Sequence, residues 1–246
     1  MSDPRSYGDT FADVYDDWYA DLSPTEPFVT SVVRLLDGRR RLLELGVGTG
    51  RLALPLATAE VHVVGLDASA AMLRQFTAKG RALGAVALDA IQADMAGLPF
   101  ARESFDGVVI AYNTLFNLTG DGQQQFCLAD AARVLRPGGF VAIETFVAAA
   151  PPTEDRTGVS PHAARPDLFI ASRQGAGAPV VDGAHITFGD DGVQTRTWRV
   201  RPMQIHEIDI AANTAGLSLA NRWASWSADP FTAESDRHVS IYRSAP

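Results

Sequence analysis

Apolar and polar positions follow two different rhythms along this chain. Between Asp9 and Leu22 the residues Phe11, Val14, Tyr15, Trp18, Tyr19 and Leu22 fall at offsets of 3, 1, 3, 1 and 3. That spacing predicts one face of an amphipathic helix. Ser23-Pro24 ends it, and Thr25, Glu26 and Pro27 open a second helix to about Leu36. From Leu42 the rhythm changes. Leu42–Leu45 and Val61–Asp67 are apolar runs of the kind found in strands buried on both faces. Asp89–Asp94, Ser104–Tyr112 and Phe140–Glu144 also read as strands. Helical patterns at Arg51–Ala59 and Gln123–Leu135 separate them, and Arg136-Pro-Gly-Gly139 stops the second and turns the chain back. Pro55 predicts a local irregularity in the first. Strands alternating with helices predict an α/β sheet with crossover helices.

Past Glu144 the pattern thins. Phe146–Pro166 is rich in Ala and Pro and reads as a loop or lid. Asp167–Gln174, Val180–Gly189 and Val193–Arg201 read as strands, and Gly189-Asp-Asp-Gly192 is a turn signal between the last two. No helix separates that pair, so they predict an antiparallel hairpin. Residues 147–203 are therefore read as an inserted β-rich substrate cap, with 1–146 and 204–246 forming the main domain. Ile205–Ala215 predicts a helix, and Leu217–Trp226 and Arg237–Arg243 two final strands.

Composition narrows the function. The chain has 246 residues, 46% hydrophobic and 20% charged, which suits one domain with a sizeable core. Its net charge of −8 and pI of about 5.1 argue against a nucleic-acid partner, which calls for a basic face. No apolar run approaches the roughly 18–20 residues of a membrane span, and Met1-Ser-Asp-Pro-Arg-Ser-Tyr lacks a signal core. A cytoplasmic location is expected. The single Cys127 lies in a helical pattern and excludes an internal disulfide or thiolate-rich metal site. No H-x-x-x-H or paired-carboxylate pattern calls for a metal.

The candidate chemistry centres on Leu42–Arg51. Glycine falls at 46, 48 and 50, between a strand and a helix start. Such a loop lets a ligand approach the main chain, and free N–H groups at the helix start attract an anionic group. A dinucleotide fingerprint would put its third glycine at position 51, which is Arg. Asp67 stands at the end of the second strand, 17 residues past Gly50, where it can accept hydrogen bonds from both ribose hydroxyls. The competing reading is that Asp67 or Ser69 merely caps the next helix.

Glu44-Leu-Gly46-Val-Gly48-Thr-Gly50 resembles the first motif of the class I S-adenosylmethionine-dependent methyltransferases. Three further segments are similar to that family in order: Asp67 with Ala68-Ser-Ala-Ala-Met72, Asp94-Met95, and Arg133-Val-Leu-Arg-Pro-Gly-Gly. Tyr15-Asp-Asp-Trp-Tyr19 resembles its N-terminal helix. The resemblance implies a Rossmann-like, doubly wound, seven-stranded sheet, mostly parallel with the last strand antiparallel. It implies S-adenosylmethionine as methyl donor and S-adenosylhomocysteine as product. Asp94 would contact the adenine amino group and the N–H after it a ring nitrogen. Ala68 and Met72 would lie under the adenine, and Tyr15 and Tyr19 would close a lid. Carboxylates at Glu44, Asp67 and Asp94 suit a cationic sulfonium nucleoside, with its carboxylate on the N–H groups of Thr49, Gly50 and Arg51.

The acceptor side is read less directly. Tyr112, Asn113, Phe116 and Asn117 leave the fourth strand where substrate would meet cofactor. His206 ranks first as candidate base and His162 second, with Tyr112 as a polar contact; His62 and His238 read as structural. The expected acceptor is an O or N atom of a small metabolite or natural product. In some relatives an antiparallel cap pairs two subunits, which leaves a homodimer open. Rival readings are a nucleotide-dependent oxidoreductase, a cyclase that uses the donor as scaffold, and a non-catalytic binding module.

Overall fold

A computed structural model describes residues 3–19, 25–85, 87–162, 165–189 and 192–245. Five parallel strands are formed by β1 (Arg41–Leu45), β2 (His62–Asp67), β3 (Leu88–Gln92), β4 (Phe105–Ile110) and β5 (Leu135–Phe146). The helices that connect or flank them are α3 (Thr25–Leu36), α4 (Ala53–Thr58), α5 (Ala70–Ala82) and α6 (Gln123–Val134). After the cap come α7 (Ile205–Thr214), β10 (Leu217–Trp223) and β11 (Arg237–Ser244). The sheet order is β10-β11-β5-β4-β1-β2-β3, and β11 runs antiparallel to both its neighbours. Its central strands are apolar on both faces because helices cover both. Leu43, Leu45, Val108 and Ile143 pack on one side against Leu128, Ala131 and Ile208. Leu42, Val109 and Ala142 pack on the other against Phe28, Val32 and Phe76. Period-two alternation thus sends neighbouring residues into two separate cores. Among the described residues no helix is long and apolar enough to cross a membrane.

A second sheet has the order β6-β7-β8-β9, from Arg156–His162, Arg165–Gln174, Val181–Gly189 and Gly192–Val200, all antiparallel. The expected hairpin is β8–β9. The segment expected as a loop or lid carries a strand instead: β6 pairs with β7 from Arg156 to His162. Gly158 and Pro161 hide it in the sequence, and both are tolerated because β6 is an edge.

Two other expectations change. The single N-terminal helix is divided into α1 (Ser6–Phe11) and α2 (Tyr15–Tyr19) by a turn at 12–14, closed by the Val14 N–H to the Phe11 carbonyl at 3.1 Å. The break lets α1 press onto the start of α5, while Phe11, Trp18 and Tyr19 reach Leu168 of the cap. Leu22 and Ser23-Pro24 lie outside the described residues. Pro55 costs little, because it is the third residue of α4, which starts at Ala53, and an N–H at that position would have no acceptor within the helix.

Candidate active site

The strand order reverses between β1 and β4, so their C-terminal ends part and leave a crevice. A cavity of about 500 Å³ opens there. Gly46, Gly48, Asp67, Ala68 and Met72 form one part of its floor, and Asp94, Met95, Tyr112, Asn113 and Asn117 the rest. Tyr7, Tyr15 and Tyr19 from α1 and α2 close one side. The roof is the inner face of the cap sheet, with Ile170, Ser172, Val181, His185, Trp198 and Val200.

The three glycines of the loop have positive φ of 71°, 56° and 89° but different surroundings. A Cβ on Gly46 would stand 2.3 Å from Thr114, and one on Gly50 would stand 2.3 Å from Phe76. Both are needed for packing, and Gly50 does not line the cavity. A Cβ on Gly48 would meet nothing within 4 Å. Gly48 therefore leaves open space where a ligand can reach the main chain.

Asp67 is held by two backbone donors. Gly48 N–H reaches Oδ2 and Ser69 N–H reaches Oδ1, each at 2.9 Å. Burial raises its carboxyl above the usual range against the pull of those donors. Each oxygen keeps a second lone-pair direction, so the fixed carboxylate can still accept two hydroxyls. Capping and ligand binding are divided: the Ser69 hydroxyl, not Asp67, accepts the Met72 N–H and caps α5. Asp94 is fixed by the Ala96 N–H at 2.9 Å.

Glu44 sits behind the loop, 4% exposed, and its Oε2 has no hydrogen-bond partner among the described residues. Burial pushes its carboxyl up to about 8; Arg51 opposes the shift and Asp67 adds to it. Arg51 also lies over the Tyr112 ring, 5.2 Å from its centroid. Neither Glu44 nor Arg51 lines the cavity. They form an ionisable layer beneath it, and an orphaned buried carboxyl oxygen suits a cationic ligand above, which would favour its ionised form. Thr49 is fully buried, and its hydroxyl donates to Asp16 of α2 at 2.7 Å.

Tyr112 and Asn113 leave β4 with consecutive positive φ of 51° and 65°, a strained pair of non-glycine residues. Glu144 holds the strain in place: its Oε2 accepts the Tyr112 N–H and its carbonyl the Asn113 N–H. The Asn113 side-chain oxygen accepts the Phe146 N–H at 2.7 Å, which limits its availability to substrate. Asn117 faces the cavity.

Phe116 is a correction. It is 0% exposed, packs edge-on to Phe146 at 5.0 Å, and accepts the Arg201 N–H at its carbonyl. It therefore anchors the cap and does not face substrate. His206 is another: it lies on the exposed side of α7, outside the cavity. His162 ends β6, and its side chain lies outside the described residues. His238 is buried between Thr145 and Ser240, and burial pushes its pKa down to about 4. His62 pairs with Asp89 on the surface.

Among the described side chains, the histidine that faces the cavity is His185. It is 6% exposed, and its Nε2 lies 3.1 Å from the Tyr19 hydroxyl. Trp18 stacks on it and Phe11 meets it edge-on, at 5.5 and 5.1 Å. Trp198 also escaped the sequence reading. The only signal for either lay in the two-residue alternation that puts Val181, Gly183, His185 and Thr187 on one strand face. Gly183 is needed there, because a Cβ would stand 2.1 Å from the Trp198 indole.

Residues 42–139 match the Methyltransferase domain family. A relative from a Streptomyces species, the cypemycin N-terminal methyltransferase, is 30% identical over 96% of both chains. The solved CcbJ methyltransferase from Streptomyces caelestis is 32% identical with a TM-score of 0.90, covering 99% of this chain and 100% of its own. The fold also resembles that of CalS10, an amino pentose methyltransferase from Micromonospora echinaspora. That match has a TM-score of 0.66 at 20% identity, over 94% of this chain and 96% of that one. Near-complete coverage at this identity, over a sheet whose switch point carries the glycine loop and its acids, makes this chain a class I S-adenosylmethionine-dependent methyltransferase.

Proposed function

We propose that the protein transfers the methyl group of S-adenosylmethionine to an N or O atom of a small natural product held beneath the cap. One observation carries this reading. A single cavity joins a floor of fixed carboxylates and open glycine backbone to an aromatic, largely apolar roof. The floor suits a nucleoside and the roof an organic acceptor, so both fit against each other. When bound, the donor supplies an electrophilic methyl on cationic sulfur.

The chain's own work is mainly alignment. Asp67 would take the ribose hydroxyls, Asp94 and the Met95 N–H the adenine, and Ala68 and Met72 its underside. Glu44 beneath the loop would offset positive charge. Tyr15 and Tyr19 would cover the donor, and residues 147–203 would seat the acceptor. Holding nucleophile, methyl carbon and sulfur in line supplies much of the rate by proximity and orientation. A nitrogen acceptor is the first choice, because the full-length relative acts on an N-terminus by its name.

The test is incubation with isotope-labelled methyl donor and a panel of amine- and hydroxyl-bearing natural products, read by mass spectrometry. Label is expected in one acceptor class, with S-adenosylhomocysteine formed in equal amount. A product of unchanged mass would instead establish a cyclase that uses the donor as scaffold.

A further inference from the structure

The N-terminal lid and the cap sheet bring three polar side chains into one row at the cavity wall. The Tyr19 hydroxyl of α2 lies 3.1 Å from Nε2 of His185 on β8, and Tyr7 of α1 lines the same wall beside them. Tyr7, Tyr19 and His185 all line the cavity that would hold the acceptor. We propose that this row is the proton exit of the reaction: the acceptor's proton passes to Tyr19 Oη while the Tyr19 proton passes to His185 Nε2. The proposal rests on the methyl-transfer reading above and deepens it.

The balance is simple. The acceptor N or O forms the new bond to the methyl carbon, and the carbon–sulfur bond breaks with its pair left on sulfur. One proton is released per turnover, from an ammonium before attack or from a hydroxyl during it. That proton ends on the imidazole, and the imidazolium returns it to solvent when the lid opens. Tyr19 cannot serve alone, since burial pushes its hydroxyl up to about 12 and keeps it protonated near neutrality. It acts as a conductor, and an imidazole is the side chain whose ordinary range suits it as receiver.

The surroundings of His185 leave this role open to it. From α1 it meets Tyr7 through Tyr19, and Phe11 directly; from α2, Trp18 and Tyr19. From β9 it meets Trp198 and, directly opposite in the ladder, Arg196, which also lies over the Trp18 ring; its ladder partner on β7 is the apolar Ile170. Arg196 is paired with Asp13 at 2.7 Å, which moderates its charge. The titratable or charged groups on these faces are thus Tyr7, Tyr19, and the Arg196–Asp13 pair.

The experiment uses the full chain loaded with S-adenosylhomocysteine and labelled at histidine Cε1. The His185 signal is assigned by its loss in His185→Gln. It is expected to titrate between about pH 5 and 8, and Tyr19→Phe is expected to shift its midpoint. A ring that stays in one protonation state across that range overturns the proposal and leaves the methyltransferase reading intact. With the acceptor from the labelled screen, His185→Gln and Tyr19→Phe should each lower kcat about 100-fold or more. The acidic limb of the pH–rate profile should vanish in His185→Gln, a change that loosening of the lid alone would not produce. Equal rates for variant and parent would also overturn it. Failure of the screen itself would count against methyl transfer, whereas the titration judges the row.

Discussion

The Thr49 hydroxyl donates to Asp16 Oδ1 at 2.7 Å, so the glycine loop and the N-terminal lid are hydrogen-bonded to each other. Lys79 of α5 joins the same carboxylate with its Nζ 2.5 Å from Oδ2. The lid is fastened on its other side as well, by Arg196 of the cap to Asp13 and by Tyr19 to His185. Opening the lid would break these contacts, and a donor enclosed beneath it would be released with them.

Asp16→Ala removes the loop-side fastening. Donor dissociation is expected to accelerate about fivefold to tenfold, near the 1 kcal/mol of one such hydrogen bond. Stopped-flow fluorescence of the lid tryptophan Trp18 measures it. An unchanged rate shows that the lid does not retain the donor.

Asp67→Ala takes away the fixed acceptor at the end of β2. Binding of S-adenosylmethionine should weaken by about 1–3 kcal/mol, the range for hydrogen bonds to a charged partner. Calorimetry decides the point, and equal affinity rejects the ribose assignment.

Gly48→Ala separates folding from binding. Its Cβ enters open space, so the fold loses only the roughly 1 kcal/mol of placing alanine at positive φ. Donor binding should fall more than thermal stability does. A variant that melts early but binds normally reverses the assignment.

Glu44 makes stability depend on pH. Its carboxyl titrates near 4.5 when free and about 8 when buried, so the folded chain holds the extra proton between those values. Stability of the ligand-free protein is fully supported by this group below about 4.5 and is lost as pH rises through 8. Glu44→Gln should flatten the decline seen by thermal denaturation. Bound donor should flatten it in the parent too, because a cation above favours the ionised form. A parent whose stability is level across that span contradicts both expectations.

Much of this was readable from the residues alone, for physical reasons. Strands β1, β2 and β4 are buried on both faces, so their apolar runs announce them without tertiary knowledge. Asp67 and Asp94 lie at or just beyond strand ends, where chain order by itself assigns the position. The roof was not readable in that way. His185 and Trp198 face the cavity only because the cap folds over the crevice, and alternation within a strand does not say which face is inward. Phe116 misled for the opposite reason. It lies in a segment that borders the cavity, yet its own side chain turns into the packing beneath. The split between α1 and α2 was hidden because the same helical spacing continues through both.

Phe116 ties down both ends of the cap, since its ring meets Phe146 where the chain departs and its carbonyl meets Arg201 where it returns. The strands between those moorings lean on the N-terminal lid as well, through Arg196 on Asp13 and His185 on Tyr19. A change of acceptor would therefore fall on residues 156–200, and the floor built from the glycine loop, Asp67 and Asp94 would keep its own support.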